Sequence, residues 1–371
     1  MWIDANFDGG NIDVISGEHA SDIQLKIRSD AKSDHAQWFY FRVLGAKGQT
    51  CKFKIVNAGQ ASYPEAWENG SIVFSKDQSF WQRRPTSFSE NTLSFEIQCE
   101  TDALYIALSP PYLTCQHNQL VARSLQSSNC KLKYVVRSVQ GRPVEVLQIG
   151  NPKGPKIWII ARQHPGEPMA EWYVEGFLDA LIDATDGASR LLTAQYCIMV
   201  VPNVNPDGSN AGNLRTNAAG VDLNRAWESP CETRSPEIAG LLSLMNETGV
   251  GLFLDIHGDE ELAFVFAAGC EGIPAFSREM AAADQRFREI YRAINCDFSI
   301  ENGYAPDAPG TGDLSIACNQ VAQRFGCLSL TIELPFKDNA KRPDPVEGWS
   351  ATRSKSLGAS LVPTLAQYFD I

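Results

Sequence analysis

The chain has 371 residues and carries 44 Asp and Glu against 32 Lys and Arg, which gives a formal net charge of −12. This acidic balance, with no basic run anywhere, argues against nucleic acid and anionic membranes as partners. The length predicts two domains, and the lack of an apolar signal segment or a long apolar run predicts a cytoplasmic protein without a membrane span.

The first third of the chain has the pattern of an antiparallel β-sandwich. Six short segments rich in aromatic and β-branched residues are bounded by Gly, Asn, Asp or Ser; they are "SDIQLKIRSD", "QWFYFRVLG", "TCKFKIVNAG", "SIVFSKD", "TLSFEIQCE" and "ALYIALSP". The pattern changes around "RSLQSSNC". We therefore predict a sandwich domain over residues 1–121 and a second domain over residues 122–371.

The second part alternates between strands and helices. The apolar "KIWIIAR" precedes the helical "PMAEWYVEGFLDALI", and "AQYCIMVV" is followed, after a long loop, by "SPEIAGLLSLMNE" and "GLFLDI". Such alternation is typical of a parallel sheet covered by helices. The expected fold class is α/β, with an N-terminal antiparallel β-sandwich followed by an α/β/α domain that contains a mixed, largely parallel sheet.

Two of the five histidines stand where apolar strands of the second part end. His164 follows "IWIIAR" with Glu167 three residues later, and His257 follows "GLFLDI"; the other three, in the predicted sandwich, are His19, His35 and His117. Ligands bind at the carboxyl ends of strands in open α/β sheets. A single histidine there is more often a structural hydrogen-bonding residue, and an HxxE pair alone is a weak signal. Two imidazoles and a carboxylate together, however, are the protein share of a catalytic zinc site.

A long polar loop and a further strand add to this prediction. The loop "VPNVNPDGSNAGNLRTNAAGVDLNRAW" carries four candidate residues, Arg215, Asp222, Asn224 and Arg225. Loops of this length in a compact domain are usually functional or disordered. Arginines here suit a substrate carboxylate and a developing oxyanion. The strand "CLSLTIELPF" runs into Glu333, a buried carboxylate that a metal-activated water would satisfy.

Five ordered motifs, "HPGE", "NPDG", "GVDLNR", "DIHG" and "TIELPF", resemble those of the zinc metallocarboxypeptidases. "ANFDGGNI", "HAQWFYFRV" and "FKIVN" resemble the β-sandwich that precedes the catalytic domain in the cytosolic carboxypeptidase branch. The resemblance implies a carboxypeptidase-type catalytic domain that binds one Zn²⁺ through His164, Glu167 and His257. It also implies that Glu333 is the general base.

The resemblance assigns the loop residues to the substrate. Arg215 would polarise the scissile carbonyl and stabilise its oxyanion. Asn224 and Arg225 would bind the terminal carboxylate of the substrate, and Asp222 would orient His164 from behind.

Other positions are less certain in their roles. Polyglutamate-removing members of the family are expected to have a basic residue where "GTGDLS" has Asp313, and an acid there would repel a glutamate side chain. The periodicity of "LSIACNQVAQRF" fits equally well a solvent-facing acid at a helix N-terminus. Tyr304 in "ENGYAPDAPG" is the nearest candidate for the tyrosine that digestive relatives close over the substrate. Asp259 and Glu260 are expected to be solvated charges.

The expected function is zinc-dependent removal of C-terminal residues from peptides or proteins, with acidic (glutamate) ends as one option. An alternative is a zinc amidohydrolase that deacylates a small amino-acid derivative, because relatives of this fold share the HxxE and the distant histidine. A third is a non-catalytic binding module in which the sandwich recruits a partner. The sequence predicts a peptide or protein C-terminus as the binding partner and makes no prediction of the oligomeric state.

Overall fold

The structure is a computed structural model that describes residues 1–371. The N-terminal part contains ten strands: β1 (Trp2–Asp4), β2 (Asp13–Ser16), β3 (Ile23–Lys26), β4 (Tyr40–Leu44), β5 (Thr50–Ile55), β6 (Ser71–Ser75), β7 (Gln82–Pro85), β8 (Ser87–Ser89), β9 (Thr92–Gln98) and β10 (Ala103–Ala107). They form two five-stranded sheets, ordered β1-β4-β10-β6-β7 and β2-β3-β5-β9-β8.

These two sheets make the predicted sandwich. Neighbouring strands are antiparallel except for the pair of β3 and β5. Residues of β5 alternate strictly between exposed and buried, as expected for a strand with one face on a core. Each of the six predicted segments contains a strand. The four strands not predicted, β1, β2, β7 and β8, are short, lie at sheet edges and bury little, so they lack the alternation that marks a strand in a sequence.

The C-terminal part contains nine helices and seven strands, and its first helix precedes its first strand. The strands are β11 (Cys130–Arg137), β12 (Pro143–Gly150), β13 (Lys156–Ala161), β14 (Cys197–Val201), β15 (Leu252–Asp259), β16 (Phe266–Ala268) and β17 (Leu328–Pro335). The helices are α1 (Thr114–Ser124), α2 (Pro168–Leu181), α3 (Gly187–Gln195), α4 (Pro206–Ala211), α5 (Pro236–Thr248), α6 (Arg278–Ile294), α7 (Ala317–Phe325), α8 (Ala351–Ala359) and α9 (Leu361–Tyr368).

The seven strands form one mixed sheet in the order β11-β12-β14-β13-β15-β17-β16. Its four central strands, β14, β13, β15 and β17, are parallel, and the strands outside them are antiparallel. Every residue of β14, β15 and β17 is buried. Strands covered on both faces become continuous apolar runs in the sequence, which is why these strands were predictable. The expected fold class is confirmed.

The sandwich and the larger domain share a hydrophobic core. One continuous cluster of buried side chains extends from the sandwich to one face of the seven-stranded sheet, and a second cluster covers the opposite face. The boundary predicted between residues 121 and 122 falls within α1, which packs on α2. None of the nine helices combines the length and the apolar character needed to cross a bilayer.

His117, placed in the sandwich by the sequence analysis, lies instead on α1 and faces the larger domain. Its Nδ1 is 2.6 Å from Glu171 Oε1 on α2, and its Nε2 is 3.2 Å from Glu145 Oε2 on β12. Burial alone lowers the pKa of His117, but the two carboxylates outweigh burial and raise the pKa to about 10. A protonated imidazole thus bridges two carboxylates where α1 meets the sheet.

This bridge predicts a pH-dependent stability. The folded protein binds the proton of His117 more tightly than the unfolded chain, so the contribution is fully present below pH 6.5 and is lost as the pH rises towards 10. We expect the free energy of unfolding to fall over this range by on the order of a few kcal/mol more in the wild type than in His117→Gln. Urea titrations at several pH values measure it, with the exposed His19→Gln as control. Parallel pH profiles for wild type and His117→Gln would contradict the expectation.

Candidate active site

The turn after β13 presents His164 and Glu167 at the carboxyl edge of the sheet. It joins β13 directly to α2, with Glu167 as the N-cap residue of the helix. Arg162 turns the chain with a φ of 59°, and its guanidinium donates to Pro165 O at 3.1 and 3.0 Å. A non-glycine residue with positive φ persists only where its surroundings enforce it. Contacts within the turn therefore hold it in shape.

His164, Glu167 and His257 converge at this edge. His164 Nδ1 lies 2.7 Å from Glu167 Oε1, His257 Nδ1 lies 2.9 Å from Glu167 Oε2, and the two Nδ1 atoms are 3.2 Å apart. All three side chains are buried, with one ligand atom of each within 4.8 Å of the others. His257 comes from β15, the parallel neighbour of β13, so two strand ends meet here. Two imidazoles and one carboxylate fit a catalytic Zn²⁺.

A carboxylate holds each histidine from behind. His164 Nε2 lies 3.0 Å from Asp222 Oδ1, and His257 Nε2 lies 2.9 Å from Asp255 Oδ2. A carboxylate on the outer nitrogen fixes the orientation of the ring and leaves the Nδ1 lone pair for a metal. Asp222 was predicted from the sequence, and Asp255 was not. The signal for Asp255 was its position two residues before His257, on the same face of the strand.

The charges of this cluster favour a cation between the two rings. Burial alone raises the pKa of Glu167, but His164 and His257 outweigh burial and lower the pKa to about 2. Burial alone lowers the pKa of His257, whereas Asp255 and Glu167 raise it well above its usual value. The carboxylates thus stabilise positive charge among the ligand atoms, which a divalent metal can supply.

Glu333 lies beside this cluster on the next strand. It is the register partner of His257 in the parallel pair of β15 and β17, and its side chain lines the same cavity. Glu333 is 8% exposed, and its Oε2 atom is buried without a hydrogen-bond partner. Burial raises its pKa well above the usual value, although His257 opposes the rise. An unpaired buried carboxylate oxygen suits a base that receives a proton from water.

Arg215 lies between the metal cluster and the sandwich. Its Nε donates to Asp222 Oδ2 at 2.7 Å, and its Nη1 donates to the hydroxyl of Tyr63 at 2.5 Å. Asp222 therefore contacts both Arg215 and His164. Tyr63 belongs to the sandwich and was not found from the sequence, since nothing in its local pattern links it to a loop 152 positions away.

Asn224 and Arg225 lie in a short turn that faces the same cavity. The Asn224 Oδ1 atom accepts a hydrogen bond from Ala317 N, the first residue of α7, at 2.9 Å, which leaves Nδ2 free to donate. Arg225 is exposed, and its guanidinium makes one hydrogen bond, to Asn224 O at 2.8 Å. Both side chains therefore retain donors for a ligand in the cavity.

The predicted site residues share one cavity of about 500 Å³. It is lined by His164, Glu167, Arg215, Asn224, Arg225, His257, Tyr304 and Glu333, while Asp222 supports it from behind. This volume is in the range of pockets that bind small ligands. Tyr304 is 54% exposed at the mouth, and its hydroxyl donates to Asp259 Oδ2.

The expectation that Asp259 and Glu260 are solvated was wrong. They are 7% and 9% exposed, because the fully buried strand β15 continues past His257 to Asp259, and Glu260 follows it directly. Asp259 Oδ1 accepts hydrogen bonds from backbone N–H groups of the following turn, whereas burial and the nearby Glu167 raise the pKa of Glu260 well above its usual value. Both residues line the cavity, whose mouth is consequently acidic.

The wall of the cavity beside α6 holds one guanidinium, that of Arg288, and one carboxylate, that of Glu271. Arg288 pairs with Asp284, with Nη2 and Oδ2 3.0 Å apart, and lies 3.9 Å from Glu271 Oε1. Asp284 lies outside the cavity lining and neutralises Arg288, so the Glu271 carboxylate leaves negative charge in excess at this wall. Asp313 does not line the cavity; it is exposed and accepts a hydrogen bond from Ser315 N at 2.9 Å. This position matches the interpretation of Asp313 as a solvent-facing acid.

Two family models match the chain. The model of the cytosolic carboxypeptidase N-terminal domain matches residues 3–108, and the zinc carboxypeptidase model matches residues 119–342. A metallo-carboxypeptidase from Pseudomonas aeruginosa, solved in complex with (2-guanidinoethylmercapto)succinic acid, is 45% identical with a TM-score of 0.97, covering 100% of this chain and 99% of that one.

Relatives found by sequence agree. An uncharacterized protein of Zymomonas mobilis is 40% identical over 370 residues, which are 100% of this chain and 97% of that protein. Mouse cytosolic carboxypeptidase 2 is 30% identical over 307 residues, or 73% of this chain, but the match spans only 36% of the mouse protein. The chain therefore belongs to the zinc carboxypeptidase family of peptidases, in the branch that carries the cytosolic carboxypeptidase N-terminal domain.

Proposed function

We propose that this protein removes C-terminal residues from peptides or proteins, with water as the nucleophile, one Zn²⁺ per chain and Glu333 as the general base. The observation that supports this most directly is the convergence of His164, Glu167 and His257 beside the unpaired Oε2 atom of Glu333. When bound to these three ligands, zinc would act as a Lewis acid that lowers the pKa of water towards neutrality.

Side chains around the metal cluster transfer the proton and stabilise the charge that develops on the substrate. Glu333 accepts the proton of the attacking water and returns it to the leaving amine, which requires a carboxylate that can change protonation within one turnover. Arg215 has its Nε and Nη1 atoms held by Asp222 and Tyr63, so Nη2 is the donor left for the carbonyl oxygen. A fixed donor of this kind stabilises charge that develops in the transition state.

The terminal carboxylate of the substrate binds next to these groups. Asn224 Nδ2 and the Nε and Nη2 atoms of Arg225 are the donors that remain unpaired on this side of the cavity. A guanidinium can bind a carboxylate through two parallel hydrogen bonds. Tyr304 at the mouth can cover the bound residue, since its ring is mostly exposed.

Charge at the far wall sets the preferred C-terminal side chain. Arg288 is neutralised by Asp284, which does not line the cavity, so the carboxylate of Glu271 supplies the excess negative charge at this wall. We expect this wall to favour lysine or arginine over the glutamate that the sequence left as an option. The guanidino group of the ligand bound by the Pseudomonas aeruginosa relative is in keeping with this expectation.

Peptide trimming followed by mass spectrometry tests the proposal. Zinc-loaded protein is given peptides that differ only in the last residue, Lys, Arg, Leu or Glu, with Glu333→Gln as the blank. We expect stepwise loss of C-terminal residues in the wild type only, with Lys and Arg ends released faster than Glu ends. Glu271→Gln should reduce the difference in release rate between Lys or Arg ends and Glu ends.

Two outcomes would count against the proposal. Faster release of Glu than of Lys would contradict the assigned charge preference and leave the carboxypeptidase activity intact. No trimming of any peptide by protein that contains zinc would contradict the proposed activity and favour the amidohydrolase or binding-module alternatives.

A further inference from the structure

The β-sandwich contributes directly to the active site. We propose that Asp30 and Tyr63, both in the sandwich, are positioning residues that hold Arg215 in the orientation needed for the reaction. This inference rests on the proposed role of Arg215. It goes further in assigning the N-terminal sandwich a part in the reaction in addition to any part in folding or partner binding.

Asp30 fixes the backbone on both sides of Arg215. It lies between β3 and β4 and is 4% exposed. Its carboxylate accepts hydrogen bonds from three consecutive backbone N–H groups, those of Leu214 at 2.5 Å, Arg215 at 2.8 Å and Thr216 at 2.8 Å, and from the Thr216 hydroxyl at 3.1 Å. Hydrogen bonds to an ionised acceptor are stronger than neutral ones. Four of them on one carboxylate leave the backbone at Arg215 little freedom.

Tyr63 fixes the other end of Arg215. Its hydroxyl accepts the hydrogen bond from Arg215 Nη1, on the side of the guanidinium opposite the Asp222 contact. Tyr63 is itself held by Gln37, which accepts from Tyr63 N at 2.9 Å and donates to Tyr63 O at 3.1 Å. Burial raises the pKa of Tyr63, so the hydroxyl stays neutral and can accept from a guanidinium.

Other residues of the loop that carries Arg215 also contact the sandwich. Asn11 Nδ2 donates to Gly212 O at 2.8 Å, and Gly9 N donates to Asn210 O at 3.0 Å. A Cβ atom on Gly212 would lie 2.7 Å from Gly10 O, and one on Gly220 would lie 2.3 Å from Lys32 O, closer than real Cβ atoms approach. The loop that carries Arg215 therefore takes its position from the sandwich surface.

This arrangement matters because arginine on a loop is otherwise a poorly ordered group. A free arginine side chain loses rotamer freedom when it is held in one orientation, and this loss opposes binding of the transition state. A donor that is already oriented stabilises the transition state without that cost. The sandwich contacts thus act on turnover through Arg215 and should have little effect on substrate affinity.

A double-mutant cycle with Arg215 tests the inference in the full-length, zinc-loaded protein. Arg215→Ala is expected to lower kcat by about 100- to 1,000-fold. Tyr63→Phe keeps the ring and removes one hydrogen bond to a charged group, so we expect kcat to fall by about 10- to 100-fold with KM changed by less than about threefold. In the Arg215→Ala background, Tyr63→Phe should lower kcat by less than about twofold.

Asp30→Asn gives a second test, since an amide cannot accept the same set of hydrogen bonds as a carboxylate. We expect a lower kcat, unchanged zinc content and, again, little effect in the Arg215→Ala background. The matched controls are Tyr105→Phe, a half-buried sandwich tyrosine outside the cavity, and Asp77→Asn, a sandwich acid that accepts from Ser79 N and Phe80 N; both should keep wild-type kcat. If Asp30→Asn does not fold, the Tyr63 cycle decides alone.

The outcomes separate the inference from the proposed function. A wild-type kcat for Tyr63→Phe, or an equal loss of kcat in both backgrounds, would overturn the positioning role and leave the role of Arg215 standing. A wild-type kcat for Arg215→Ala would overturn the proposed role of Arg215 and, with it, the inference. A purely structural role would lower the melting temperature and leave kcat per folded molecule unchanged.

Discussion

Glu333→Gln is expected to lower kcat by about 100- to 10,000-fold while metal content, fold and KM stay close to those of the wild type. The amide has nearly the same shape as the carboxylate, so it fits the space that Glu333 occupies on β17 beside His257 of β15. It cannot accept the proton of an attacking water, which removes the step that we propose for the unpaired Oε2 atom. Rates of release of a C-terminal residue, measured at saturating peptide, give kcat directly.

Glu333→Asp is the matched comparison for this variant. It keeps a carboxylate but withdraws it by one methylene group, so we expect kcat between those of the wild type and Glu333→Gln. Retention of more than a tenth of wild-type kcat in Glu333→Gln would show that another group accepts the proton. Glu260 would then be the next candidate, since it is buried at the same cavity and its pKa is also raised.

The sequence predicts those parts of the fold whose burial produces an apolar pattern within a few consecutive residues. The apolar runs of β13, β14, β15 and β17 reflect strands covered on both faces, and they place His164, His257 and Glu333 at neighbouring strand ends. The burial of Asp259 and Glu260 could not be predicted in the same way. It depends on how far β15 continues under the segment around Tyr304, which is a tertiary contact.

The candidate site shows the same limit. Asp255 was within reach of sequence reasoning, because strand alternation places it beside His257. Asp30 and Tyr63 were not, because each contacts a loop more than 150 positions away, and an acid or a tyrosine in a sandwich loop has no local pattern that indicates such a contact. The contribution of the sandwich to the cavity becomes visible only when the two domains are seen together.

Changing a proposed zinc ligand is expected to abolish zinc binding, and changing Asp255, which lies behind one ligand, is expected to weaken it. His257→Ala should bind no zinc after dialysis, since one of the three proposed protein ligands is removed. Asp255→Asn keeps all three ligands and changes only the group behind His257, so we expect zinc affinity to fall by about 10- to 100-fold. Elemental analysis gives the stoichiometry, and competition with a chromophoric chelator gives the affinity.

Thermal unfolding provides a readout that does not depend on activity. Folding brings the proposed zinc ligands together from β15 and the turn after β13, so added zinc should raise the melting temperature of the wild type and have no such effect on His257→Ala. Asp207→Asn is the matched control for Asp255→Asn, because Asp207 is also a buried acid of this domain but bonds Ser138 and Gln140 outside the cavity. If Asp207→Asn and Asp255→Asn weakened zinc binding equally, the loss of zinc affinity would reflect general destabilisation. That result would contradict the orienting role assigned to Asp255. A loss of zinc affinity in Asp255→Asn alone would show that the Asp255 carboxylate strengthens zinc binding by orienting His257.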